Sequence, residues 1–221
     1  MCGRYQLAVD PAQLEAVFAA AVKGEPRPGF NNAPTQSLPV VRLEDEGRVI
    51  RPLRWGLVPH WAKDLSIGSR MINARSETVA EKPAFRTAFR RHRCLVPSTG
   101  FYEWKREGKT KIPHLIRVRE GEVFAMAGIW ASWRGGEGEA VETFSILTTD
   151  PKGALDGLHD RMPVIVHPDR WQTWLDPETD AATLLALTVS PPPREALEIY
   201  PVSALVNNVR NQGAAVAERA G

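Results

Sequence analysis

The stretch CLVPSTGFYEWK (94–105), followed after the turn REGKT by KIPHLIRV (111–118), decides the fold. Short apolar and aromatic runs punctuated by turn residues are the signature of sequential antiparallel strands. VFAMAGIWASW (123–133) and TFSILTT (143–149) extend the series across the Gly- and Glu-rich RGGEGEAVE (134–142). Upstream, SLPVVRL (37–43) and RVIRPLR (48–54) flank EDEG and read as a β-hairpin. Helices are expected at 10–22, where Asp10 caps and Pro11 suits the first turn, and at 83–93, 169–176 and 180–187. The sum is an α+β fold: one β-rich domain over 1–221, with a curved, largely antiparallel barrel-like sheet and a few peripheral helices.

At 221 residues, 43% hydrophobic and 24% charged, the chain has the balance of an ordinary globular protein. No apolar run reaches the ~18 residues of a membrane span, and charge from Arg4 onward interrupts any secretory leader. Two cysteines, Cys2 and Cys94, give neither a disulfide framework nor zinc-ligand spacing. A cytoplasmic protein without metal or cofactor is expected, with Cys2 kept free and Cys94 a buried filler. Charge is segregated: residues 51–100 hold ten Lys and Arg against three acids, while the remainder holds 18 against 23. Such a division fits either a basic face for a polyanion or arginines scattered over a solvated surface.

Several polar residues stand where packing gives them little reason to be. MCGRY puts Cys2 where loss of the initiator Met1 leaves a terminal residue bearing amine and thiol on adjacent carbons. INARSET (72–78) gathers Asn73, Arg75, Ser76 and Glu77 beside a basic helix. In FYEWK (101–105), strand alternation sends Tyr102 and Trp104 to one face and Phe101 and Glu103 to the other. Glu103 then faces either solvent or a cleft. LHDRMP (158–163) offers His159 with Asp160 and Arg161 ahead of an apolar strand.

MCGRY, NNAPT, RWGLVPHW, INARSET, GFYEW, HDRMP and the closing PVS…NNVRNQG, in that order over nearly the whole chain, resemble the SOS response-associated peptidase (SRAP) family. Its members include bacterial abasic-site processing proteins and a eukaryotic relative first described as a reader of modified cytosine. The resemblance implies an enzyme that senses abasic sites in single-stranded DNA and crosslinks to them through Cys2, shielding the strand from cleavage. Its catalytic positions fall here on Cys2, Asn73, Glu103 and His159. Arg4, Arg75, Trp104 and Arg161 resemble phosphate- and base-contacting positions, and Pro34 and Trp61 occupy loops that shape the groove. PHWAKD departs from the paired tryptophans of some members. A monomer acting at replication forks or single-strand/duplex junctions, nucleoid-associated when bound to DNA, is expected.

The implied chemistry suits these residue types. His159, with an ordinary pKa of ~6.5, is the expected acid for opening the cyclic sugar. The α-amine attacks the aldehyde, Glu103 accepts and returns its protons, and Asn73 orients it. The tethered thiol then closes a thiazolidine before β-elimination cuts the strand. Trp104 fits base stacking, whereas Trp130, Trp171 and Trp174 are expected in the core. Two rivals stay open: a thiol peptidase or autoprotease that uses Cys2 and His159 and removes Met1, and a non-catalytic reader of modified bases.

Overall fold

The computed structural model of the chain describes residues 2–135 and 138–220. Met1, whose removal the expectation requires, and Gly136 and Glu137 of the RGGEGEAVE turn lie outside them. The chain opens with strand β1 (Tyr5–Leu7), helix α1 (Pro11–Phe18), β2 (Ala21–Val22) and β3 (Gly29–Asn32). A long hairpin follows, β4 (Ser37–Glu44) and β5 (Gly47–Trp55), then β6 (Asn73–Arg75) and α2 (Arg86–Arg91). The strand-rich centre comprises β7 (Arg93–Ser98), β8 (Gly100–Glu107), β9 (Thr110–Val118), β10 (Phe124–Trp133) and β11 (Val141–Thr149). Short strands β12 (Met162–Pro163) and β13 (Ile165–Val166), helices α3 (Trp171–Leu175) and α4 (Ala181–Thr188), and β14 (Leu197–Pro201) complete the order.

The expected barrel is present. Strands run β11–β10–β7–β4–β5 by antiparallel pairing, and β5 returns to β11 in parallel, with Arg54 opposite Thr143 and Trp55 opposite Phe144. Strand twist makes such closure geometrically natural and removes the sheet's vulnerable edges. Trp55 is fully buried, stacks on Phe144 with ring centroids 6.2 Å apart and meets the Tyr5 ring edge-on at 5.4 Å. Its indole N–H donates to the Ile72 carbonyl at 2.9 Å, which ties the start of β6 to the barrel wall.

CLVPSTGFYEWK passes from this barrel into a second sheet ordered β14–β9–β8–β1–β3. The crossing is at Ser98 and Thr99: the Thr99 N–H donates to the Gln6 carbonyl at 2.9 Å, and the Thr99 hydroxyl accepts the Ala8 N–H at 3.1 Å. Alternation along β8 is as read: Phe101 joins the main core, and Tyr102 packs with Leu115, Tyr200, Val202 and Val206 in a second cluster against which Trp104 rests. The C-terminal segment lies over that cluster, held by Asn31, whose Nδ2 donates to the carbonyls of Asn208 at 3.0 Å and Asn211 at 2.9 Å.

Two helices are shorter than expected. α1 stops at Phe18 because Ala19 turns left-handed at φ 46°, and Ala21 and Val22 pair with Val49 and Ile50 instead. Sheet pairing there outweighs alanine's helix preference. α2 begins at Arg86 and releases Arg93 to β7, where the buried guanidinium donates to the carbonyls of Phe89, Trp174 and Asp176. Trp171 and Trp174 are core residues as expected, while Trp130 is half-buried under the Arg42 guanidinium. Cys94 is buried.

Gly56 holds the loop that leads to β6. Its φ is +121°, a region that side chains avoid, and a Cβ there would fall 2.6 Å from the Gly68 carbonyl oxygen. Gly47 shares the conformation (φ +117°) with open space around it. Gly56→Ala is therefore predicted to lose more stability than Gly47→Ala, whose cost is backbone strain alone at about 1–3 kcal/mol, as measured by urea unfolding. Equal losses would contradict the close backbone contact.

Candidate active site

A cleft of about 590 Å³ lies where β8 runs past the 158–160 loop, lined by Glu103, Trp104, Arg106, Lys111, His159 and Asn207 among others. The strand pairing delivers the chain's start to it. Tyr5 lies opposite Phe101 in antiparallel register, and the Tyr102 N–H donates to the Arg4 carbonyl at 2.9 Å. Continuing that register carries residues 2 and 3 alongside Glu103 and Trp104. Cys2 is fully buried there, its Sγ 4.0 Å from the Arg4 carbonyl. Burial pushes its thiol well above the ordinary range, and the neighbouring Glu103 carboxylate adds to the effect.

Glu103 is only 3% exposed, so the cleft reading of this residue holds and the solvent-facing one does not. Burial raises its carboxyl from 4.5 to about 8. His159 Nε2 stands 3.7 Å from Glu103 Oε2. His159 Nδ1 is 2.9 Å from the Arg161 backbone N–H, 3.0 Å from the Arg161 carbonyl and 3.1 Å from the Asp160 carboxylate, contacts that orient the ring with Nε2 toward Glu103. Burial lowers the imidazole's pKa as well. Both shifts favour the neutral forms, so the carboxyl is suited to give a proton and the imidazole to accept one.

Cys2, Glu103 and His159 converge; Asn73 is placed by other elements. It lies opposite Ile146 where β6 pairs in parallel with β11, its amide donates to the Ile72 carbonyl at 3.1 Å, and its Oδ1 is buried with no hydrogen-bond partner among the described residues. Arg75 is exposed, opposite Thr148. Arg161 reaches the same place: Nη2 donates to the Thr148 carbonyl at 2.6 Å, and Nη1 meets Glu77 at 2.6 Å. That contact draws the Glu77 carboxyl below its usual range.

Arg4 is half-buried and internally engaged, its Nη1 donating to Asn31 Oδ1 at 2.7 Å and to the Val206 carbonyl at 2.8 Å, with its guanidinium 5.9 Å from the Trp104 ring. Trp104 Nε1 donates to Asn207 Oδ1 at 2.7 Å, leaving the indole half-exposed at the cleft. Pro34 sits in the β3–β4 turn. Trp61 is 52% exposed in a separate, smaller cleft with Pro59, Pro83 and His92, outside the residues that line the main one. Of the ten cations in 51–100, Arg93 is buried, Arg51 is paired with Glu44 and half-buried Arg54 donates to the Thr35 carbonyl, while Lys63, Arg70, Arg75, Lys82, Arg86, Arg90 and Arg91 are exposed. Sequence reading missed Arg106, Lys111, Asn207 and the cross-strand neighbour of Glu103, His114; hairpin register and the NNVRNQG string were the available signals.

A barrel joined to a second sheet, with a buried carboxyl 3.7 Å from a half-buried imidazole and a fully buried cysteine nearby, is an arrangement suited to proton-transfer chemistry. The chain belongs to the SOS response associated peptidase (SRAP) family, whose model matches residues 1–209. It is similar to "Abasic site processing protein YoaM" of Bacillus subtilis (strain 168), 40% identical across 97% of this chain and 96% of that protein. "Abasic site processing protein HMCES" of Gallus gallus is 29% identical, with coverages of 96% and 75%. A crystal structure of a Bacteroides thetaiotaomicron protein has the same fold, with a TM-score of 0.91 at 28% identity, over 99% of this chain and all of that one.

Because the folded chain keeps the Glu103 proton up to about pH 8 while the unfolded chain releases it near 4.5, folding loses stability as pH rises through that window. Glu103→Gln keeps the neutral hydrogen-bonding shape. It is predicted to stabilise the protein by on the order of 2–4 kcal/mol at pH 8 and to change little at pH 4, read by thermal unfolding. An equal effect at both pH values would refute the buried neutral carboxyl.

Proposed function

We propose that this protein processes abasic sites in single-stranded DNA by forming a thiazolidine crosslink through Cys2, once Met1 has been removed. The observation that carries the reading is the antiparallel register of β1 on β8, which sets the first residues of the chain beside a buried Glu103 facing His159. The printed names of the relatives, abasic site processing proteins, supply the substrate class.

In this reading the protonated Glu103 carboxyl is the acid that assists opening of the sugar, and neutral His159 takes up a proton. The Cys2 amine adds to the C1′ aldehyde and loses water to give an imine. The thiol then adds to the imine carbon as its proton passes to the nitrogen, so one aldehyde and one aminothiol yield one thiazolidine and one water. Intramolecular capture of this kind reaches effective molarities of roughly 10⁵–10⁸ M, enough to outrun β-elimination. The buried Asn73 Oδ1 is an acceptor suited to an incoming N–H. Arg75, exposed opposite Thr148, suits phosphate, Arg161 fixes the ground beside it through Glu77 and the Thr148 carbonyl, and Trp104 suits an unpaired base. Pro34 and Trp61 would act farther along the strand.

The thiol-peptidase reading fits less well. Attack on a stable amide needs a thiolate made by an adjacent imidazolium, and burial raises the Cys2 thiol instead, whereas closure onto a tethered imine draws on proximity and on proton transfer to the imine nitrogen. Intact-mass spectrometry of the protein mixed with a uracil-excised single-stranded oligonucleotide is predicted to reveal loss of Met1 and one covalent DNA adduct per chain. Cys2→Ala should abolish the adduct. Turnover of peptides without an adduct would favour the peptidase, and an undiminished adduct in Cys2→Ala would refute the proposal.

A further inference from the structure

β8 and β9 form a hairpin in which Arg106 lies directly opposite Lys111, two positions beyond Trp104 opposite Pro113. Residues facing each other across an antiparallel pair bring their Cβ atoms within roughly 4.5–5.5 Å, and like charges there are destabilising. Neither cation is ion-paired among the described residues, and both are exposed on the cleft that Glu103 and His159 line. The opposite face of the same hairpin behaves differently: Lys105 is paired with Glu107 at 2.7 Å. The hairpin thus pairs charges on one side and leaves two facing cations on the other, where they share the cleft with the half-exposed Trp104, with Asn207 and with the Asp160 carboxylate, which lies 3.1 Å from His159 Nδ1.

An unrelieved pair of opposed cations costs stability in the unliganded protein and is relieved by an anion bound between them. We propose that Arg106 and Lys111 form a seat for a phosphodiester of the strand flanking the reacting sugar, adjoining a base stacked on Trp104. The proposal rests on the DNA reading above and extends it to the flanking nucleotide. The guanidinium offers a planar fork and the ammonium a point charge, a combination suited to one phosphate bridged between two side chains. Two amino-acid steps of about 3.4 Å each separate Arg106 from Trp104 along β8, so phosphate and base contacts fall in sequence along the open edge of the strand.

The test is fluorescence anisotropy with a single-stranded oligonucleotide carrying a tetrahydrofuran abasic analogue, which has no aldehyde and so reports binding without crosslinking. Arg106→Gln/Lys111→Gln is expected to lower the slope of log affinity against log salt by about 0.7, the contribution of one single-strand phosphate, and to weaken binding roughly tenfold near 0.15 M salt. Arg106→Lys/Lys111→Arg should restore both, and Lys105→Gln, which removes a charge from the opposite face, should change neither. A phosphate supplied by a flanking duplex instead of the single strand would show the slope loss on a junction oligonucleotide alone. An unchanged slope on both substrates, or an equal loss in Lys105→Gln, overturns the seat while leaving the crosslinking reading intact. If the wild-type protein crosslinks no abasic DNA and binds neither oligonucleotide, both fall.

Discussion

A carboxyl group held out of water is the constraint on which the site depends. Glu103 sits on a strand, 3% exposed, with His159 at 3.7 Å and Cys2 close by. In such a place the charged form is disfavoured and the proton is retained. The imidazole beside it is pushed the other way by the same burial. One physical cause therefore shifts both groups toward their neutral forms, which suits an acid and an acceptor set 3.7 Å apart. That arrangement is suited to moving a proton back and forth without leaving a bare charge in a confined cleft.

Holding that pair requires segments from both ends of the chain. β1 brings the start alongside β8, Arg4 reaches Asn31 and the Val206 carbonyl, and Asn31 anchors the 208–211 segment. The opposite side is fixed by the barrel: Trp55 grips the Ile72 carbonyl, β6 lies on β11, and Arg161 is locked between Glu77 and the Thr148 carbonyl. These hydrogen bonds satisfy polar groups that are partly or fully removed from water, so their loss would be felt well beyond one residue.

Much of this was legible beforehand, and the reasons differ by residue. The strands were readable because turn residues bracket each apolar run, and Phe101 and Tyr102 obeyed the alternation of a pleated strand. Glu103 remained ambiguous because alternation fixes a face without saying what covers it; the 158–160 loop supplies the cover, and nothing local to FYEWK announces it. The helix at 10–22 was over-read because the alanines continue a helical pattern while β5 offers Ala21 and Val22 a better partner. Arg106 and Lys111 were invisible as a pair until the register of the hairpin placed them opposite one another. The charge count of 51–100 mixed surface arginines with a structural one, Arg93, which bonds the distant carbonyls of Trp174 and Asp176.

The account stands on where one proton resides. A pH titration by NMR of the Glu103 side-chain carboxyl carbon and the His159 ring nitrogens measures it directly, each assigned through Glu103→Gln and His159→Gln. The account predicts that Glu103 titrates at about 8 and His159 below its ordinary 6.5. A carboxyl that ionises near 4.5, opposite an imidazole still charged at neutral pH, would contradict it.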